Sequence, residues 1–312
     1  MAVDEFGLAT ARKANVPFGY AGPARTAPPP YQRVAGMSYP ASTKKVGAVS
    51  SSLQPASPST GTAAAAIQDH WATLPGAGAA IGRAVSEVAR TSDDGYYQAF
   101  ERGLIYWWPD TGAVNVGNVE LVYAGMNCFN ETSRLSGSDE PYFIVSHVGD
   151  SNMGTSSGVH YQNVDAGGSF PYPSWVVYSG SPGHHLSVTV FTMEQDQGDP
   201  AEIQAKIAGA FASVGGAVGT VVSLAATPAA GGVVITVAGA LAAISAVVVP
   251  LVASQDDVLG DTSMMISAKT LVTSYMVPRK TDRNVVYDVS SDMISGDGAN
   301  YKVYFTIENY GW

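Results

Sequence analysis

The sequence is poor in charged residues and in cysteine. Asp, Glu, Lys and Arg make up 13% of its 312 residues, about half the usual share in globular proteins. The single cysteine, Cys128, leaves no intrachain disulfide, so the fold depends on packing and hydrogen bonds. Residues 1–19 lack the apolar core of a signal peptide. We therefore expect either export by a route that needs no such peptide or association with a cell surface.

The familiar catalytic signatures are also missing. There is no phosphate-binding loop, no dinucleotide fingerprint and no metalloprotease helix in the sequence. The string Gly154–Gly158, with Ser156 at its centre, matches the nucleophile pattern G-x-S-x-G, which requires a strand before it and a helix after it. The surrounding Gly- and Ser-rich sequence favours a flexible loop instead. We predict a protein that is not an enzyme, and a hydrolase remains a third hypothesis.

Val, Tyr, Thr and Gly are plentiful, and this composition favours β-structure. Short β-branched and aromatic runs are separated by clusters of Gly, Ser, Asp and Asn. These runs are Val119–Tyr123, Tyr142–Val145, Trp175–Tyr178, Leu186–Phe191 and Tyr301–Ile307. Their spacing predicts an antiparallel β-sandwich over residues 119–312.

The few charges are unevenly distributed. Residues 1–118 hold eight acids and nine Lys/Arg, a balance of +1, whereas residues 119–312 hold eighteen acids and seven Lys/Arg, a balance of −11. An acidic domain disfavours nucleic acid as a partner and suits divalent cations.

Residues 1–65 are a low-complexity stretch rich in Pro, Ala, Ser, Thr and Gly. Such a composition buries too little apolar surface to offset the entropy of ordering, so we predict a flexible leader. Its six Lys/Arg against two acids would equally suit an export or packaging leader, or an arm ordered by a secretion or assembly partner.

Residues 66–118 have the pattern of a short helix followed by a β-hairpin. Gly103 and the turn Pro109–Gly112 would mark the ends of the strands.

Three runs in this segment, Gly82–Glu87, Asp94–Tyr97 and Phe100–Ala113, resemble the LGFP repeat, a small module of actinobacterial cell-wall and secreted proteins. The resemblance implies a bacterial origin and a cell-wall glycan or protein partner, contacted by Tyr106, Trp107 and Trp108. The alternative is a packing module in which the same rings form a core.

Residues 207–255 form an uncharged run of 49 residues within a predicted insertion, residues 201–255. Two arms, Ile207–Thr227 and Val233–Val252, flank the turn Pro228–Gly232, and each reaches the roughly 20 residues of a membrane-spanning helix. We predict a helical hairpin that enters lipid; the alternative is a buried hairpin that never does. The expected lipid-facing residues are Phe211, Val221, Val222, Val234, Ile235, Leu241, Ile244, Val248 and Leu251.

Acidic residues flank the hairpin in a recurring order. Gly137–Tyr142, then Glu194–Asp196 and Asp257–Gly260, resemble the C2 domain, a β-sandwich that binds phospholipid through calcium-binding loops. The resemblance implies calcium as a cofactor and places the hairpin in a loop that faces the membrane. The candidate ligands are Glu131, Asp139, Glu140, Glu194, Asp196, Asp199, Asp256 and Asp257. Whether Asp139 or Glu140 would face a metal is open at this point.

The fold expected is mainly β: a C2-like antiparallel sandwich with an inserted α-helical hairpin, preceded by the LGFP-like module and the low-complexity arm. The function expected is a membrane-targeting or membrane-inserting effector or toxin, with pore formation and oligomerisation as extensions of that role. The alternative is a structural or cell-wall-binding protein in which the hairpin is buried core.

Overall fold

In the computed structural model, the described residues belong to one compact unit, residues 55–312. The leader up to residue 58 and nearly all of the predicted hairpin lie outside the described residues. Those residues are 59–76, 80–132, 138–150, 152–194, 205–206, 209 and 257–310.

An N-terminal module combines one helix with a small antiparallel sheet. Its elements are α1 (Thr60–Thr73), β1 (Ala89–Arg90), β2 (Tyr96–Phe100), β3 (Gly103–Trp108) and β4 (Gly112–Val116). The strands pair in the order β1-β2-β3-β4. Ser59 caps α1, because its hydroxyl oxygen accepts a hydrogen bond from the Thr62 N–H at 3.3 Å. The predicted strand ends at Gly103 and at the Pro109–Gly112 turn are confirmed.

Two larger antiparallel sheets follow the module. The first sheet contains β6 (Pro141–Val148), β7 (Met153–His160), β9 (His185–Glu194) and β10 (Asp257–Ser267), paired in the order β10-β9-β6-β7. The second sheet contains β5 (Asn118–Asn130), β8 (Ser169–Gly180), β13 (Val289–Ser290), β14 (Ile294–Gly296) and β15 (Ala299–Tyr310). Its main order is β13-β15-β5-β8, and β14 also pairs with β15.

Short elements lie between β10 and β13. They are α2 (Ala268–Thr273), a 3-10 helix (Ser274–Met276), and a hairpin of β11 (Lys280–Asp282) and β12 (Val285–Tyr287). Ser267 begins α2 as its N-cap, accepting a hydrogen bond from the Thr270 N–H at 3.2 Å.

The two large sheets pack face to face in a sandwich-like arrangement. Phe143 of the first sheet contacts rings of the second, with centroids 5.9 Å from Tyr123 and 6.4 Å from Tyr301. Val188 and Val190 of β9 are fully buried in the same cluster. Because side chains alternate across a strand, one face of each strand supplies this core.

Gly125 lets the long strand β5 follow its neighbour β8. The register of β5 against β8 shifts between Tyr123 and Gly125, and Gly125 has a positive φ of 136°. A Cβ at this position would stand 2.3 Å from the carbonyl oxygen of Phe170. Glycine is therefore required where β8 crosses close to the bend in β5.

The expectation of mainly antiparallel β-structure is confirmed, and all five predicted runs lie within strands. The prediction of a flexible loop around Ser156 is wrong, because this stretch is β7, an edge strand paired with β6. Edge strands tolerate polar residues, so Ser and Thr do not prevent pairing here. In addition, α1 begins at Thr60, inside the segment expected to be a flexible leader.

Candidate functional site

The ends of three neighbouring strands bring several predicted ligands together. Glu194, the last residue of β9, lies opposite Pro141 of β6 on one side and opposite Asp257 of β10 on the other. Glu140 directly precedes Pro141. We call this end of the sandwich the acidic end; it comprises Glu131, Asp139, Glu140, Glu194 and Asp257.

Asp139 is the most deeply buried acid at this end, with no exposed surface. Its carboxylate accepts hydrogen bonds from the Thr132 N–H at 2.9 Å and from the Thr132 hydroxyl at 2.7 Å. The Tyr301 hydroxyl donates a further hydrogen bond to it. The Asp139 backbone also pairs with Val164 in an isolated bridge. Asp139 therefore ties the end of β5 to β15, and its oxygens are occupied by donors of the protein itself.

Glu140 points away from this interior network. Its carboxylate lies 4.0 Å from Nε2 of His160, and its side chain is 46% exposed. Of the two adjacent acids, Glu140 is thus the one accessible from solvent. Glu131 is partly exposed, while Glu194 is buried.

The surroundings of Asp139 suppress ionisation of neighbouring weak acids. Burial, followed by the hydrogen bond to Asp139, raises the pKa of Tyr301 well above its usual range. Burial, followed by the charge of Asp139, raises the pKa of Cys128 to about 12. The Cys128 thiol donates to the carbonyl oxygen of Asn130 at 3.2 Å. Cys128 is therefore a neutral packing residue and not a reactive thiolate.

The remaining predicted ligands, Asp196, Asp199 and Asp256, lie outside the described residues. Within the described ranges, no group of three or more His, Cys, Asp or Glu side chains is arranged to hold a metal ion.

The long insertion leaves and re-enters the sandwich at the acidic end. Strand β9 ends at Glu194 and β10 begins at Asp257, and the two strands pair along their whole length. Residues 195–256 therefore connect adjacent strands of one sheet. The predicted lipid-facing residues, Phe211 to Leu251, all fall in the part outside the described residues. In the part that is described, no helix is long and apolar enough to cross a bilayer.

The aromatic run on β3 alternates between two environments. Tyr106 and Trp108 are buried, and their rings stack with centroids 5.4 Å apart. Both belong to the hydrophobic cluster of the large sheets. Trp107 faces the other side, is partly buried, and packs against the cluster beneath α1. Of the three predicted glycan contacts, Trp107 is therefore the ring that retains surface exposure.

Polar contacts join this module to the sandwich. The indole N–H of Trp108 donates to Asp93 at 3.1 Å, and the other oxygen of Asp93 accepts from the backbone N–H of Lys269 at 2.7 Å. The Tyr106 hydroxyl donates to the Gly183 carbonyl oxygen at 2.8 Å. These contacts could not be predicted from the sequence, because the residues that form them are up to 176 positions apart.

The G-x-S-x-G string at Gly154–Gly158 does not have the geometry of a nucleophile elbow. Ser156 lies in the middle of β7 and pairs with Val145 of β6, whereas the elbow needs a sharp turn from strand into helix.

In a comparison with protein families, the model of the LGFP repeat matches residues 81–124. Comparisons with curated proteins and with solved structures find no match. The matched stretch covers β1 to β4 and the first half of β5, and it includes the aromatic run on β3. Residues 81–124 of this chain are therefore an LGFP repeat.

Proposed function

We propose that this protein is a membrane-inserting effector, in which the acidic end of a C2-like sandwich approaches a bilayer and residues 207–255 enter it. The observation that carries the proposal is the position of the insertion. Residues 195–256, which contain the uncharged run of 49 residues from 207 to 255, leave the sandwich at Glu194 and return at Asp257, both at the acidic end.

The length and composition of the run support a membrane role. Each arm supplies about 20 residues, enough to cross the hydrocarbon core as a helix. The absence of Asp, Glu, Lys and Arg removes the largest cost of transferring such a segment into lipid. Because residues 195–256 join adjacent strands, the two ends of this connection are held side by side, as a hairpin entering from one surface requires.

The C2-like interpretation rests on two antiparallel sheets packed face to face and on acids at strand ends beside the insertion. Calcium is part of the proposal only through the accessible acids. Asp139 does not fit as a direct ligand, because Thr132 and Tyr301 already donate to its carboxylate. Glu140 and Glu131 retain exposed surface, and oxygen ligands of this kind suit calcium.

The test is release of dye from anionic liposomes, with and without calcium. We expect release by the wild type and none by a variant carrying Val234→Asp and Val248→Asp, because two charges in one arm oppose insertion by several kcal/mol. The matched control carries Val85→Asp and Val277→Asp, two valines that are 62% and 61% exposed on the described surface; it should release dye as the wild type does.

No release by folded wild type with any tested lipid, with or without calcium, would contradict the proposal. If release depends on calcium, a Glu140→Gln variant should raise the calcium concentration needed. If Glu140→Gln has no effect on that dependence, calcium does not act through this acid.

A second function is favoured by the LGFP repeat: binding to a cell-wall glycan through the exposed edge of Trp107. Cosedimentation with purified actinobacterial cell walls tests it. We expect Trp107→Ala to weaken binding and Tyr275→Ala, which removes an aromatic ring that is 58% exposed elsewhere, to leave it unchanged. Equal binding by all three proteins would argue against a glycan site at Trp107.

A further inference from the structure

The face of the first sheet that points away from the second sheet combines apolar and aromatic side chains with serines and threonines. Phe143 and Val145 of β6 and Val188 and Val190 of β9 lie in the core between the sheets. Side chains alternate along a strand, so the residues between them face the opposite side. The large apolar members of this outer face are Tyr142, Ile144, Phe191 and Met193.

These four side chains are buried, although they lie on the outside of a two-layer arrangement. Each is at most 1% exposed. The outer face of an antiparallel sandwich is ordinarily solvated, and Val176, on the second sheet, is 41% exposed. Burial of the outer face of the first sheet therefore requires a third layer of chain.

The buried patch runs along the two central strands β6 and β9, since Ser146, Val148, Ser187 and Thr189 on the same face are also buried. Tyr142 is paired with Met193 and Ile144 with Phe191, close to the point where β9 ends at Glu194. On the edge strands β7 and β10, Met153 and Met265 are each 42% exposed. The covering layer thus lies over the two central strands of the sheet and leaves its edge strands more open.

We propose that residues 207–255 of the same chain pack on this outer face while the protein is in solution. The segment lies within residues 195–256, which leave from β9 and return to β10, two strands of the sheet in question, so both ends of this connection start beside the patch. Two helical arms of about 20 residues would each be about 30 Å long. A strand of ten residues spans about the same distance.

The chemistry of the segment matches the patch better than that of the N-terminal leader does. The patch is formed by apolar, aromatic and hydroxyl side chains without charge, and residues 207–255 also carry no charge, whereas residues 1–65 carry six Lys/Arg and two acids. Desolvating charges against an apolar surface is costly. Small residues, plentiful in the segment, also allow a helix to approach closely.

This inference goes beyond the membrane proposal, because it holds whether or not the segment ever enters lipid. If the segment does leave for a bilayer, Tyr142, Ile144, Phe191 and Met193 become exposed together. The outer face would then be a second apolar surface, formed only in the inserted state.

Photo-crosslinking through methionine tests the packing in the full-length protein without lipid. A diazirine analogue of methionine closely matches the natural side chain, so it can replace all nine methionines with little effect on the fold. We expect crosslinks from Met193 to peptides within residues 207–255. Met126, fully buried between the sheets, is the internal control and should crosslink to strands of the sandwich.

Mixing isotopically heavy and light chains separates contacts within a chain from contacts between copies. Crosslinks from Met193 to residues 207–255 within one chain would support the proposal. Crosslinks from Met193 only to residues 1–58, only between heavy and light chains, or none where Met126 does react, would each overturn it. Since no lipid is present, the result is independent of the liposome experiment.

Discussion

At the scale of single residues, Asp139 shows how an acid in a ligand-like pattern becomes a structural anchor. The sequence indicated that Asp139 lies at a strand entry. It could not indicate that Tyr301, 162 positions away, donates to its carboxylate. Long-range hydrogen bonds of this kind depend on sheet order, which sequence periodicity does not determine.

We expect Asp139→Ala to lower the free energy of unfolding by roughly 2–4 kcal/mol, because it leaves the buried donors of Thr132 and Tyr301 without their acceptor. Asp165→Ala is the control: this exposed acid accepts from the Ser138 hydroxyl, and its loss should cost within about 0.5 kcal/mol. Urea unfolding measures both. Equal effects would show that Asp139 does not anchor the strands.

His147 makes stability depend on pH. Burial lowers the pKa of His147 from 6.5 to about 4, so the folded state binds this proton less readily than the unfolded state. The stabilisation is therefore complete above pH 6.5 and is lost as the pH falls to 4. A shift of this size corresponds to about 3 kcal/mol.

We expect His147→Gln to remove that part of the pH dependence. Urea unfolding from pH 7 to pH 4 measures this. The unfolding free energy of the wild type minus that of the variant should fall as the solution becomes acidic. Carboxylates titrate in both proteins and cancel in the difference. A constant difference across this range would show that His147 does not resist protonation.

At the scale of elements, composition predicted the strongly apolar strands but not the polar edge strand β7. β5, β6, β8, β9 and β15 contain the five predicted runs, because β-branched and aromatic residues favour strands wherever they are buried. Strand β7 was not predicted, because Ser156 and its neighbours form a strand through pairing with β6 and not through an intrinsic preference for β-structure. The end of α1 nearest the leader was missed for a similar reason: Ala63 is buried against the module.

The joint between the LGFP repeat and the sandwich gives a prediction at this scale. Asp93 accepts from Trp108 and from the backbone of Lys269, so Asp93→Ala should lower the free energy of unfolding by about 1–2 kcal/mol. Asp110→Ala is a matched control, because Asp110 pairs with the side chain of the same lysine but is exposed and screened by water. Thermal unfolding should separate the two variants; indistinguishable melting temperatures would contradict a role for Asp93 at the joint.

At the scale of the whole molecule, the arrangement combines an LGFP repeat, a sandwich and a long insertion at the acidic end. The sequence was sufficient to predict the repeat and the β class. It also placed the insertion between two strands, but the pairing of those strands with each other, and the burial of the outer face beside them, required the structure. Those two features, together with the uncharged composition of the insertion, are the basis of the proposals made for it.

The most direct test of membrane entry is the depth of a probe on the insertion. A fluorophore sensitive to polarity would be attached at Leu241→Cys in a Cys128→Ala background, with Val277→Cys, on the exposed surface, as the control position. With anionic liposomes we predict a blue shift at position 241 and quenching by lipids that carry a quencher in the acyl chain, and neither change at position 277. An unquenched, water-like spectrum at position 241, in protein that floats with the liposomes, would contradict insertion.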